Sequence, residues 1–522
     1  MRKFLLILPL LLFSFSGTLL STQEIGTDTS IIQYQAVTQH TAQIREEGQQ
    51  ITPDSSQTMQ LQEQESAQQI VQESTAVAAN NPYKELLLDK PLRFDILSIL
   101  RGLLGMTSIM FICWLFSLDR KKINWKTVGF AVAMQFIIAL SVIGIPAVQS
   151  AIAFIGKLFV AVLGWTKAGS TFLFGSLVDM QSFGYIFVFQ ILPTIIFFAA
   201  LTSLFFYLGI LQKLVWIMGW IFSKAFNLSG AESLTTAGNI FVGMSEAPLM
   251  VKEYIPKMTK SEIFLIMTVG MATMAGGVLA AYVGMLGGGD KIMEIEFAKH
   301  LLSASVMAAP GAIALSKILM PQTEEIDNNV DVPKEKIGKN VLDAISNGTT
   351  GGLKLAANVA AMLLVFYALI AGCNAIFMKI GDWTSLNELI YNVTDGKYIG
   401  LSLQFMLAYI FAPVIWMTGV SGADLGLVGQ LLGEKLILTE FIGYQSLTEM
   451  IKAGAFANPK SVIMATYVLC GFANFASVGI LVGAVGSIAP NQKPILSKYG
   501  FRALLGASLV ALMSAAMVGM LI

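Results

Sequence analysis

The chain has 522 residues, 55% hydrophobic and only 13% charged, with 33 basic side chains against 33 acidic ones. Soluble domains carry about a quarter charged residues, so this composition excludes an ordinary globular protein and describes a polytopic membrane protein. Balanced charge gives no global pull toward nucleic acid or anionic lipid. The two histidines, His40 and His300, have no Cys or second His nearby in the chain, which argues against a zinc or haem site.

Residues 1–22 read as a secretory signal peptide, with an uncleaved anchor as the alternative: Met1-Arg-Lys3 precedes an apolar run from Phe4 to Leu12 and on to Leu20. Residues 23–90 are rich in Gln, Ser, Thr and Glu and nearly free of aromatics, which predicts a disordered tail. The membrane domain is expected over 91–522. A span at 99–117 runs into the basic loop Asp119 to Lys126. Lys and Arg clusters stay cytoplasmic, so the loop is placed inside and the tail outside. A second span returns at 128–145. Residues 146–176 are apolar but interrupted by Pro146 and glycines, and are expected in the interface. A strong span follows at 185–208, then 211–226, read as interfacial or as part of the next unit.

The stretch 229–256 is the most informative. It lies between long apolar segments yet contains Glu232, Asn239, Ser245, Glu246 and helix breakers. An isolated carboxylate at mid-bilayer costs about 2.5–3.5 kcal/mol on insertion scales, so a polar ligand or ion is expected to compensate Glu246. Ser229 and Glu232 have capping-box spacing. About ten helical residues would cover about 15 Å, half the hydrocarbon core. Gly243 permits a break, and Pro248 suits the first turn of a returning helix. The stretch therefore reads as a re-entrant hairpin.

Beyond it, an interrupted helix is expected over 263–286, a charged turn with His300 over 287–300, and a span over 301–319. A charged loop then covers 320–346, with spans at 355–376 and 399–417. The stretch 421–452 echoes the first hairpin: Ser421-Gly-Ala-Asp424 matches Ser229-Gly-Ala-Glu232, and Thr439-Glu440 matches Ser245-Glu246. An apolar helix interrupted at Asn474 follows each pattern's second copy, as Thr273 interrupts the first, and a last span covers 503–521. Paired interrupted segments in two halves point to a transporter site. The fold class is thus all-α polytopic: about eight transmembrane helices, two re-entrant hairpins, interrupted helices in an inverted repeat, and interfacial helices. Cys113, Cys373 and Cys470 lie in apolar segments and read as small hydrophobes.

Asn474 and Ser477 are three apart and share one face of a helix. Opposite Glu440 they would suit a polyhydroxylated ligand; the alternative is bonding between membrane helices. Asn239 and Thr273 offer neutral oxygens that suit Na+, or, for Asn239, ordinary capping.

These motifs resemble the concentrative nucleoside transporter family. The matches are Gly102-Leu-Leu-Gly105 through Trp125, Leu192-Pro-Thr-Ile-Ile-Phe-Phe198, Gly238-Asn-Ile-Phe-Val-Gly243 through Glu246-Ala-Pro248, Thr439-Glu-Phe441, and Gly471-Phe-Ala-Asn-Phe475 with Ser477. They run in the family's order along nearly all of 95–522. The resemblance implies secondary active import of nucleosides coupled to Na+, elevator-type alternating access, a homotrimer in the cell membrane, and no enzymatic activity or cofactor beyond the coupling ion. It implies that Glu440, Asn474 and Ser477 hold the ribose, that Met244, Ser245 and Glu246 face the base with Phe472 beside it, and that Asn239 and Thr273 bind Na+ by side chain and Val242 and Met274 by carbonyl. Many relatives have Gln-Thr-Glu where this chain has Met244-Ser-Glu246. Its Gly243-Met244 resembles purine-preferring members, which implies a purine preference. Proton coupling is the alternative within the family; an intramembrane hydrolase and a ligand sensor are the alternatives outside it.

Overall fold

The computed structural model describes residues 95–179, 186–327, 338–394 and 396–522. The expected signal peptide and disordered tail, and part of the charged loop, lie outside the described residues. Every regular element among the described residues is helical. Eight helices are long and apolar enough to cross a membrane.

The first two are α1 (Ile96–Leu115) and α2 (Trp125–Gly144), each opened by a side-chain cap, Asp95 and Asn124. The third corrects an expectation. Residues 146–174 form one continuous helix, α3 (Pro146–Phe174), without the expected interruption. Pro146 sits in its first turn, where the missing N–H costs nothing, and the glycines are simply carried inside the helix. A one-turn helix, Phe187–Gln190, leads into α4 (Leu192–Tyr207), followed by α5 (Ile210–Phe226).

The first hairpin opens with α6 (Gly230–Gly238). Both bonds of the expected capping box form: Glu232 N donates to Ser229 Oγ at 3.1 Å and Ser229 N donates to Glu232 Oε2 at 3.3 Å. The expected returning helix is instead two 3-10 turns, Ala247–Val251 and Ile255–Lys257. Pro248 opens the limb as Pro146 opens α3, but Pro256 falls eight residues on, inside any helix continuing from it, where it would remove a donor and clash with the Lys252 carbonyl, so no regular α-helix runs through the limb.

Next come α7 (Lys260–Ala272) and α8 (Gly276–Gly287), two halves of one interrupted span, then α9 (Lys291–Leu319). The charged turn expected over 287–300 shrinks to 288–290. Asp290 caps α9 by accepting from Ile292 N at 2.9 Å, and Met293 and Phe297 bury one face four residues apart. His300 therefore lies within the helix, beside the Tyr467 ring.

The helix α10 (Val341–Trp383) has 43 residues, about 65 Å at 1.5 Å per residue, and packs on α4. Gly348 and Gly352 let it approach Ala199 and Ser203 closely, the small-residue contact typical of membrane helices. Only 6% of its apolar window is buried, against 94% for the last span. After α11 (Leu386–Val393) and α12 (Leu403–Thr418), the second hairpin is two full helices, α13 (Leu425–Ile437) and α14 (Glu440–Lys452). A second interrupted span, α15 (Pro459–Leu469) and α16 (Phe475–Ile488), precedes α17 (Lys493–Leu521). The buried centre of the fold is α7, α9, α15 and α17, and both helix breaks lie in it.

Candidate functional site

The two breaks abut. Residues 273–275 separate α7 from α8, and 470–474 separate α15 from α16. Gly471 has φ +88°, and a side chain there would strike the carbonyls of Met271 and Ala272. Only glycine combines that backbone with that approach.

Glu440 stands at the N-terminus of α14 beside the second break. It is 4% exposed. Tyr282 Oη donates to its Oε1 at 3.1 Å, and Asn474 Nδ2 donates to its Oε2 at 2.8 Å. The position at a helix N-terminus further favours the negative charge. Asn474 is the N-cap of α16 and not, as expected, a residue on its face: its Oδ1 accepts from Ser477 N at 2.8 Å. One amide thus fixes the break and presents a donor to Glu440. Ser477 is buried beside it, and Phe472, half-buried, lies within the break. The structure therefore brings Glu440, Asn474 and Ser477 together.

The sequence reading missed Tyr282 and Tyr444. Their rings stack at 4.2 Å between centroids, and Tyr444 Oη donates to Thr466 O at 3.1 Å. A tyrosine inside an otherwise apolar half-helix is the signal that could have found Tyr282, since a buried hydroxyl needs a partner.

Asn239, the C-cap of α6, is 1% exposed and turns its Oδ1 toward Gly270 of α7, one turn before the first break. Its Nδ2 donates to Thr235 O at 2.9 Å, while its Oδ1 is buried without a hydrogen-bond partner. Thr273 Oγ1 donates to Val269 O at 2.8 Å, which leaves its lone pairs available. Among the described residues neither the Val242 nor the Met274 carbonyl accepts a backbone hydrogen bond. A buried, unsatisfied amide oxygen with a hydroxyl and two free carbonyls has the chemistry of a Na+ site. Ser305 on α9, also missed, accepts from Met274 N at 3.5 Å and props the break.

The tip of the first hairpin divides the remaining predicted residues. Met244 is buried against Gly270 of α7. Ser245 and Glu246 are exposed. Gly243 N donates to Glu246 Oε2 at 3.4 Å. Glu246 lines a cavity of about 420 Å³ with Gly243, Lys252, Thr202, Ser203 and Asn347, a volume within the range of small-molecule sites, about 300–1,000 Å³. Glu440, Asn474 and Ser477 do not line it. The two parts are joined through α8: Gly276 N donates to Phe241 O of the tip at 3.3 Å, and Tyr282 on the same helix holds Glu440.

Known proteins are similar to this chain. Residues 104–177 and 300–519 match the N- and C-terminal parts of the Na+ dependent nucleoside transporters, and 188–289 match a nucleoside recognition ("Gate") domain. An uncharacterized transporter of Haemophilus influenzae is 37% identical over 82% of this chain and 98% of its own. The chain belongs to the Na+ dependent nucleoside transporter family. Within this family, sodium/nucleoside cotransporter 2 of Rattus norvegicus is 36% identical over 84% of this chain and 64% of its own. The structure of CNTnw in an inward-facing substrate-bound state superposes with a TM-score of 0.73 at 35% identity, over 81% of this chain and 97% of that one. The family transports nucleosides with Na+ as coupling ion and is not enzymatic.

Proposed function

We propose that this transporter imports nucleosides, purines in preference to pyrimidines, down an inward Na+ gradient. The observation that carries the reading is the pairing of two unlike sites at abutting helix breaks: a buried carboxylate, Glu440, oriented by Tyr282 and Asn474, and an unsatisfied oxygen, Asn239 Oδ1. A carboxylate can accept from two vicinal ribose hydroxyls, and the Asn474 amide can give and take. Na+ at Asn239, Thr273 and the carbonyls of Val242 and Met274 would order the first hairpin tip and so ready the pocket, which is coupling by differential affinity. Glu246 would receive the base from the cavity side, with Ser245, Met244 and Phe472 shaping the base end of the pocket. Both hairpins are too short to span and serve as re-entrant elements of a unit that moves across the membrane. The exposed apolar length of α10 fits a homotrimer contact as well as lipid, and the basic loop 119–126, read as cytoplasmic, supports an N-terminal tail outside the cytoplasm.

Uptake of labelled adenosine, inosine and uridine into proteoliposomes tests this. Uptake should require an inward Na+ gradient and favour adenosine and inosine over uridine. Uptake driven by a pH gradient without Na+ would establish proton coupling instead. Binding without flux, or release of a hydrolysis product, would reject transport. Met244→Gln introduces an amide at the hairpin tip and should raise the uridine-to-adenosine uptake ratio several-fold; an unchanged ratio would remove Met244 from base selection.

A further inference from the structure

The second hairpin holds another buried acid that the reading above does not use. Glu434 on α13 is 2% exposed. Its Oε1 accepts from Gln430 Nε2 at 2.9 Å, but its Oε2 is buried with no hydrogen-bond partner. It lines a cavity of about 200 Å³ between the second hairpin and α10, together with Gln430, Ser446 and Glu449 of the hairpin, Gln404 of α12 and Tyr367 of α10. No Lys, Arg or His lines that cavity. Among the described residues no ion pair reaches Glu434. Its neighbour Lys435 points elsewhere, with Nζ donating to Val468 O at 3.0 Å and Cys470 O at 2.6 Å.

A buried carboxylate with an idle oxygen needs a cation or a proton. The polar groups around this one are oxygen-bearing: a second carboxylate, two side-chain amides and two hydroxyls. Hard cations take such ligands, and two acids in a cavity lined by no base give it a negative potential that concentrates them. The cavity is also wide enough to admit an ion that keeps some of its water. Its walls come from both the hairpin and α10, so an ion bound there would tie the two together and be sensitive to their relative position.

We propose that this cavity is a second Na+ site, with Glu434 Oε2 as its buried ligand and Gln430, Ser446 and Glu449 supplying further oxygens. The inference rests on the Na+-coupled reading but uses none of the residues at the first break. Equilibrium binding of radioactive Na+ to the purified full chain tests it. The wild type should bind two Na+ per chain, Glu434→Gln one, Asn239→Ala one, and the double variant none. The Hill coefficient for Na+ in uptake should fall from near two to one in Glu434→Gln, with nucleoside affinity at saturating Na+ retained. Glu434→Asp, which keeps the charge, should keep both ions at lower affinity and controls for a folding defect in the amide variant. An unchanged ion count in Glu434→Gln would overturn the site. A shift in the pH profile of uptake with that unchanged count would assign a proton to Glu434, in a setting that also includes Glu449, Tyr367 and Tyr398. An Asn239→Ala variant that keeps both ions would overturn the first site and leave this one standing.

Discussion

The two hairpins start from matching motifs and are held in opposite ways. The first is anchored at its base. Glu232, 1% exposed, closes the capping box and pairs with the buried ammonium of Lys317 on α9, which also donates to Ser261 Oγ of α7 at 3.0 Å. Its tip is chemically incomplete, with Asn239 Oδ1 unsatisfied and Ser245 and Glu246 exposed. The second hairpin is the reverse. At its base Ser421 makes no capping bond, and Asp424 instead accepts from Ala457 N at 2.8 Å and Asn458 N at 3.0 Å. At its tip Glu440 already has both oxygens engaged. The same contrast runs through the helix breaks. At the second, the Lys435 ammonium caps the carbonyl end of α15, where a cation is favoured by the helix dipole. At the first, no side-chain cation does so among the described residues, and oxygens are left over. The first repeat is closed at its base and leaves its unsatisfied oxygen near the tip, at Asn239, whereas the second engages its tip acid and leaves an oxygen open within the hairpin, at Glu434.

Substitutions can break this contrast. The largest effect is expected from Lys317→Met, which strands Glu232 without its partner. Breaking a buried pair costs about 3–5 kcal/mol, to be read as a large drop in thermal unfolding temperature, and adding Glu232→Gln should recover most of it. Asp424→Asn keeps an acceptor for one of the two backbone N–H groups and turns an NH2 toward the other, so it should cost less, about 1–3 kcal/mol. If both substitutions cost the same, the bases of the hairpins are equivalent after all.

Next is Glu440→Gln. Hydrogen bonds to a charged group contribute about 1.5–3 kcal/mol each. Losing that charge should lower nucleoside uptake at least about tenfold, with a fall in unfolding temperature smaller than that of Lys317→Met, because no unpaired charge is left buried. Full uptake by this variant would reject Glu440 as a substrate ligand. The smallest effect separates the two serines. Ser229→Ala removes a real cap and should cost about 0.5–2 kcal/mol. Ser421→Ala removes none and should stay within about 0.5 kcal/mol. Thermal unfolding of the two variants side by side reads this difference.

What the sequence alone determined is what depends on near neighbours. The Ser229–Glu232 box spans three residues, so its pattern and its geometry are the same fact. The interruption at Asn474 was legible for the same reason: glycine and a capping side chain act within one turn. The balance of apolar and charged residues likewise established the membrane class. Local reading went astray where a breaker's effect depends on position. Pro146 reads as an interruption, but in a first turn it begins α3, while Pro248 and Pro256, also in first turns, begin only 3-10 turns. The tertiary structure alone decided which groups satisfy one another across the chain. Tyr282 reaches Glu440 over 158 residues and Lys317 reaches Glu232 over 85. It also decided which oxygens stay unsatisfied, at Asn239 and Glu434. No spacing rule encodes such pairs, because burial creates the need for a partner and only packing determines whether one arrives.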